Sequence, residues 1–234
     1  MQSTERAEQT LPVLIMSTTA HTATEKPVIR VKELSERERR RLLMHFLALD
    51  ENDRLLRFGT VLSDELITRY VQRLDFSRDK VFGVYDTHLR LVGIGHLAFA
   101  RREALPALSR ATRKARIAEF GVSVSATARG EGIGSRLFQR AAIHCRNADV
   151  DTLAMHCLAS NKTMIHIAKK AGMEIRRDYG EADAYLRLRP ANPGSMLQEA
   201  VEEQFAVFDY TFKANAKAAI KWWRRLPGIK GRRE

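Results

Sequence analysis

The stretch AEFGVSVSATARGEGIG, residues 118–134, decides how the rest of the chain is read. It opens as an apolar, β-rich run and ends in three glycines at alternate positions, Gly130, Gly132 and Gly134. The segment after them, SRLFQRAAIHCRN, has helical periodicity. A strand over 116–125 therefore runs into a glycine-rich turn that opens a helix over 134–147. Glycine lets backbone amides approach an anion with no Cβ in the way. The free N–H groups of a helix start, with its dipole, favour negative charge. Residues 129–135 are thus a candidate cradle for a pyrophosphate. Two better-known cradles do not fit. The dinucleotide fingerprint spaces its glycines G-x-G-x-x-G and needs an acid after the next strand, and the Walker loop needs Gly-Lys-Ser/Thr where Gly134-Ser135-Arg136 stands.

Outward from that stretch, strands and helices alternate. Val28, Ile29 and Val31 begin a strand that ends at Ser35. Ser35 with Glu38 has capping-box spacing, followed by Leu42, Leu43, Phe46 and Leu47 on one helical face. Ser63-Asp64-Glu65 starts a second helix, with Leu66, Ile67, Tyr70, Val71 and Leu74 as its apolar stripe. Two strands, 80–86 and 89–100, form a hairpin around Asp86-Thr87-His88. Downstream lie a strand over 151–158, a helix over 161–171, strands over 174–178 and 184–188, and a long helix over about 196–226. Residues 50–63 and 101–114 are read as loops. The order predicts an α/β fold: a mixed, mostly antiparallel central sheet flanked by helices, with an added C-terminal amphipathic helix. Three regions follow: a leader at 1–26, a domain at 27–190, and a basic helix and tail at 194–234.

Composition narrows the function classes. The 234 residues are 44% hydrophobic, with too few Gly and Pro for a fibrous or disordered chain. Cys145 and Cys157 are too few for a disulfide framework, and no run approaches the roughly 18 apolar residues of a membrane span. A cytoplasmic location is the expectation. The net charge is +12, and residues 213–234 hold eight Lys and Arg against one acid. A basic end of this kind suits phosphate-bearing partners, whether a coenzyme, a lipid surface or nucleic acid.

Arg129-Gly130-Glu131-Gly132-Ile133-Gly134 resembles the R/Q-x-x-G-x-G/A coenzyme-A signature of the GNAT superfamily of acyl-CoA-dependent N-acyltransferases. NKTMIHIAKKAGM, residues 161–173, is similar to the second signature of that family, in which an Asn caps a helix ending in Gly-Phe; here Met173 replaces the Phe. The resemblance spans about residues 28–188. It is nearest to the acetyltransferase domain of bacterial protein-lysine acetyltransferases, whose fused acyl-CoA-synthetase-like part has no counterpart here.

The resemblance implies an N-acetyltransferase that moves an acetyl or other acyl group from acetyl-CoA directly to an amine, on a small molecule or a protein lysine. Arg129, Gly130, Gly132, Ile133, Gly134 and Ser135 would hold the pyrophosphate. Val122 and Val124 would bind the pantetheine as an added strand, with Asn161 beside it. An amide near Val124 would polarise the thioester carbonyl. Glu119 would be the general base, as an acid inside an apolar strand where burial tunes a carboxylate for that work. Alternation sets Glu119 opposite Val122, and a bulge of the kind the family's strand carries would re-aim it. Ala168 stands where many members carry a Tyr, as is common in the lysine-acetyltransferase group. The rival class is a non-catalytic acyl-CoA-binding regulatory module whose basic tail contacts a membrane or nucleic acid.

Two features remain. His144-Cys145 and His156-Cys157 are adjacent pairs whose side chains diverge, so no metal is expected. On a helical wheel Phe205, Phe208, Phe212, Ala216, Ala219, Ile220 and Trp223 share one side of the last helix. Lys213, Lys217, Lys221, Arg224 and Arg225 lie beside it. The expectation is that this apolar stripe packs on the domain or in a homodimer, with weak anionic membrane contact as the alternative.

Overall fold

β1 (Lys32–Leu34), β2 (Lys80–Tyr85), β3 (Leu91–Phe99), β4 (Ile117–Val124), β5 (Thr152–Leu158), β6 (Glu174–Asp178) and β7 (Glu181–Arg187) form one sheet. Their order is β1-β2-β3-β4-β5-β7-β6. All neighbours are antiparallel except β4 and β5, which run parallel. The computed structural model describes residues 28–99 and 116–223, without the side chains of Phe212, Ala216 and residues 218–223. The leader at 1–26, the loop at 101–114, and Arg224 and Arg225 lie outside the described residues.

One face of the sheet carries α1 (Arg39–Leu47), α2 (Glu51–Phe58) and α3 (Asp64–Gln72); the other carries α4 (Ile133–Asn147) and α5 (Lys162–Lys170). Leu42, Phe46, Ile67, Val71 and Ile94 fill the first layer, and Phe82, Leu97, Phe120, Leu137 and Leu153 the second. The capping box that the spacing foretold closes on a short 3-10 turn, Glu36–Glu38, which leads into α1. The Glu38 carboxylate accepts the Ser35 amide at 2.8 Å and the Ser35 hydroxyl at 2.7 Å. α2 corrects the loop expected at 50–63. Asp50 caps it by accepting from the Asp53 amide, and Gly59 stops it at φ 76°. No residue of α2 is fully buried, and its apolar side is carried by Leu55, Leu56 and Phe58 alone, a shorter signal than the stripe of α3.

β3 makes room for α4. A Cβ on Gly93 would stand 2.5 Å from Ile133, and one on Gly95 would stand 2.9 Å from Phe120. With no side chain there, α4 settles close to the sheet, and its first turn comes to the edge of β4. β4 pairs with β5 only from Ile117↔Thr152 to Glu119↔Ala154, although both strands continue. Beyond Glu119 the two part, which leaves one edge of β4 without a neighbouring strand among the described residues.

α6 (Pro193–Trp223) packs against α4 and β1. The docked face is not the one expected. Phe205 is 57% exposed and Phe208 71% exposed. Ala206 is buried and Tyr210 stacks on Tyr85 at 5.0 Å, and the rest of the docked side is polar: Arg140 of α4, 1% exposed, donates to Glu199 at 2.7 Å and to Glu203 at 3.2 Å. Asn147 donates to the Ser195 carbonyl at 3.0 Å, and the Ser195 hydroxyl donates back to Asn147 at 2.7 Å. A guanidinium on the inner side of α4 needs acids opposite it, and they stand on the charged side of α6. That turns the phenylalanines outward. The helix still belongs to the folded unit, as expected, through its other side. No helix among the described residues is long and apolar enough to cross a membrane.

Candidate coenzyme and acyl-transfer site

The turn after β4 has the geometry its glycines foretold. Gly130 and Gly132 sit at φ 80° and 88°, where a Cβ is strained, and Gly132 is the residue before the first turn of α4. None of the backbone amides from Gly130 to Ser135 has an acceptor among the described residues, and the first helical bond is Arg136 N–H to the Gly132 carbonyl at 3.0 Å. The first turn of α4 carries no acid to compete for them. Free amides and a helix start whose first turn holds no acid make a site for a diphosphate, with Glu131 of the turn the carboxylate closest to it in sequence.

A cleft of about 700 Å³ begins at this turn and runs along β4. Val122, Val124, Arg129, Gly130, Gly132, Ile133, Gly134, Ser135 and Asn161 all line it, so the residues singled out for the coenzyme come together. Ser125 N–H donates to the Val92 carbonyl on the β3 side at 2.8 Å. Amides alternate along a strand, so those of Val122 and Val124 point to the opposite, open side. A donor edge of this kind suits an amide-bearing chain laid alongside it.

Several residues are held differently from the simplest expectation. The Arg129 guanidinium is bound to Asp53 of α2 and shares its Nε with the Val124 carbonyl at 3.4 Å. It ties the turn to α2. Asn161 is 6% exposed and spends its side chain internally. Its Oδ1 caps α5 by accepting from Met164 N–H at 3.0 Å, and its Nδ2 donates to the Leu56 carbonyl at 3.2 Å. It builds the cleft wall between α2 and α5.

Glu119 departs from its expected setting. It is exposed, and β4 pairs with β3 without a register shift from Ala118 to Val124, so no bulge re-aims its side chain. It shares the α1–α3 face of the sheet with Gly121 and Ser123, at the point where β4 and β5 part. Its charge is among those that raise His156, a shift due first to the hydrogen bond between His156 Nδ1 and Asp183 at 2.7 Å. Across the same face, Tyr70 donates to His96 Nδ1 at 3.0 Å, and His96 Nε2 donates to Asp79 at 3.3 Å. Burial opposes ionisation of Asp79, but the bonds from His96 and Arg78 hold its carboxyl well below the usual range.

Sequence reasoning missed the contributions of α1 and α2. His45 is 5% exposed; its Nδ1–H donates to the Leu91 carbonyl and its Nε2 accepts from Ser123, both at 2.9 Å. Burial pushes His45 down, and the nearby Arg57 cation adds to the effect, so the ring is neutral at pH 7. Asp53, Leu56 and Arg57 line the cleft from α2. The readable signal for that helix was its punctuation, Asp50 before it and Gly59 after it. Cys145 is buried and pushed up to about 12 by that burial, so it is inert packing. Among the described residues, no group of three or more His, Cys, Asp or Glu is placed to hold a metal ion.

Residues 46–173 match the model of the Acetyltransferase (GNAT) family. Among solved structures, the GNAT domain of S. lividans PAT is 20% identical with a TM-score of 0.56, covering 68% of this chain and 90% of that one. The structure of yncA from Salmonella typhimurium with acetyl-CoA is 10% identical with a TM-score of 0.52, covering 71% of this chain and 97% of that one. Spermidine N-acetyltransferase from Vibrio cholerae, in complex with CoA and spermine, is 17% identical with a TM-score of 0.50, covering 68% of this chain and 95% of that one. No curated protein sequence matches the chain.

Proposed function

The chain belongs to the GNAT family of acetyltransferases, and we propose from that membership that it transfers the acetyl group of acetyl-CoA directly to an amine. The observation that carries this reading is a single continuous cleft. At one end stand the unsatisfied amides from Gly130 to Ser135, and from there the open edge of β4 leads inward. The amides would take the diphosphate, and the N–H groups of Val122 and Val124 would take the pantetheine amides. Past Val122 the thioester would lie where β4 and β5 separate.

The chemistry needs no nucleophilic side chain. A neutral amine attacks the thioester carbonyl, the oxygen gains charge opposite an amide of the β4 edge, and the thiolate leaves. The remaining task is to remove a proton from an ammonium. Glu119 is the group we assign to it, because it stands on the acceptor face at the fork between the strands. Its exposure gives the proton a direct path to solvent.

Free thiol release from acetyl-CoA with a panel of primary amines tests the proposal, run beside a coenzyme-A titration. Turnover with at least one amine is expected. Coenzyme binding with no release across the panel would leave a binding module and sink the enzymatic reading. Glu119→Gln is expected to lower kcat by about 10² while the coenzyme dissociation constant holds. An unchanged rate across pH would remove Glu119 from the mechanism.

A further inference from the structure

The inner end of the cleft holds a cation for which the acetyl-transfer scheme has no use. Arg57, in the last turn of α2, lies flat against β4: a Cβ on Gly121 would stand 2.8 Å from its Cζ and Nη1 and 2.9 Å from its Nη2. Three aromatic rings hold the guanidinium, with centroids at 5.0 Å for Phe58 and 5.9 Å for Phe46 and Tyr70. Its one hydrogen bond among the described residues, from Nη2, goes to the Tyr70 hydroxyl at 3.1 Å. That hydroxyl is itself fixed, because it donates onward to His96, which Asp79 orients.

The neighbouring arginines of the same helix and cleft are paired. Arg54 meets Asp64 at 2.7 Å, and Arg129 is bound to Asp53. Arg57 has no carboxylate within ion-pair distance among the described residues, and its Nε and Nη1 have no protein acceptor there. A planar fork that is immobilised, half-buried and unpaired is built for a bidentate anion. The coenzyme's diphosphate is not that anion, since its amides lie at the opposite end of the cleft. An anion at Arg57 lies beyond the thioester.

The geometry points to Arg57 as the receptor for a carboxylate carried by the reacting substrate, either on the acyl group or on the acceptor amine. This rests on the acyl-transfer reading above and narrows it. An acyl chain ending in a carboxylate would reach the fork past the thioester carbon. An amino-acid-like acceptor would instead set its carboxylate on Arg57 and its ammonium toward Glu119, two residues from Gly121 on the same face of β4. Both sources present one chemistry to one guanidinium.

Two arms separate them, each read by initial rate and by equilibrium binding. The donor arm compares succinyl-CoA with acetyl-CoA. The acceptor arm compares amino acids with their carboxamides on the acetyl-CoA-saturated protein. In one arm the carboxylate-bearing member is expected to be preferred by about 10²-fold. Arg57→Gln should collapse that preference to near unity. Arg57→Lys, which keeps the charge and loses the fork, should retain only part of it. Equal treatment of charged and uncharged members in both arms, or a preference that survives Arg57→Gln, overturns the assignment. The binding readout decides even where no amine turns over. Turnover without any carboxylate dependence sinks this inference alone, whereas failure to bind coenzyme A sinks it together with the proposed function.

Discussion

Arg140→Leu is expected to destabilise the protein by about 3–5 kcal/mol, seen as a lower urea midpoint. The side chain is 1% exposed, yet it is held as a cation by Glu199 and Glu203 of α6 and stacked over Phe82 at 5.0 Å. Removing it leaves two carboxylates facing an apolar ring and α4. Burial alone would push Glu199 up, but hydrogen bonds from His144, Asn147 and Arg140 overcome it and hold the carboxyl at about 2. Because that value lies below the 4.5 of the unfolded chain, the stabilisation is full above about pH 4.5 and fades as pH falls toward 2. In Arg140→Leu this acid-side loss should shrink. The double variant Arg140→Leu, Glu199→Leu should recover part of the stability, since like-sized apolar groups can replace a buried pair. A single variant as stable as the parent would mean that α6 does not rest on this contact.

The parts of the molecule that were legible in the sequence are those that local chemistry dictates. Gly130 and Gly132 must adopt positive φ, a demand only glycine meets without strain, so the cradle could be read from three letters. Ser35 with Glu38 and Ser63 with Leu66 close their helix starts within a few residues. What was not legible depends on distant partners. α2 is only eight residues long, buries none of them completely and shows its apolar side in Leu55, Leu56 and Phe58 alone, so Arg57 stayed hidden although it meets Gly121, far along the chain. Glu119 sits in an apolar strand, but its burial depended on whether β5 stayed alongside, and β5 turns away at that residue. The periodicity of α6 was correct while its docked side was not. The choice between its two sides was made by Arg140, on another helix, whose need for acids outweighed the gain from covering Phe205 and Phe208. Hydrophobic pattern names a face; a buried charge can overrule it.

Gly130→Asp should weaken coenzyme A binding by about 10² or more while leaving the fold intact, and the contrast with Gly130→Asn isolates the cause. The position is open: a Cβ at Gly130 would meet no atom within 4 Å, so either side chain fits without a clash. Both substitutions incur the same backbone cost at φ 80°, roughly 1–2 kcal/mol for an L residue and least for Asp and Asn. They differ in one charge. Asp would add a second carboxylate, next to that of Glu131, beside the free amides where the coenzyme brings a diphosphate. The excess loss for Asp over Asn therefore measures electrostatic repulsion at the cradle. It should shrink as salt is raised, because the Debye length falls from about 10 Å at 0.1 M to about 3 Å at 1 M. Gly134→Ala asks a different question. Its Cβ would come within 3.0 Å of the Ile167 Cδ1 on α5, so it should loosen binding by displacing a wall, with no salt dependence. Calorimetric titration of the three variants at two salt concentrations separates charge from shape. If Gly130→Asp binds as tightly as the parent, the diphosphate does not sit on the first turn of α4, and the assignment of the whole cleft falls with it.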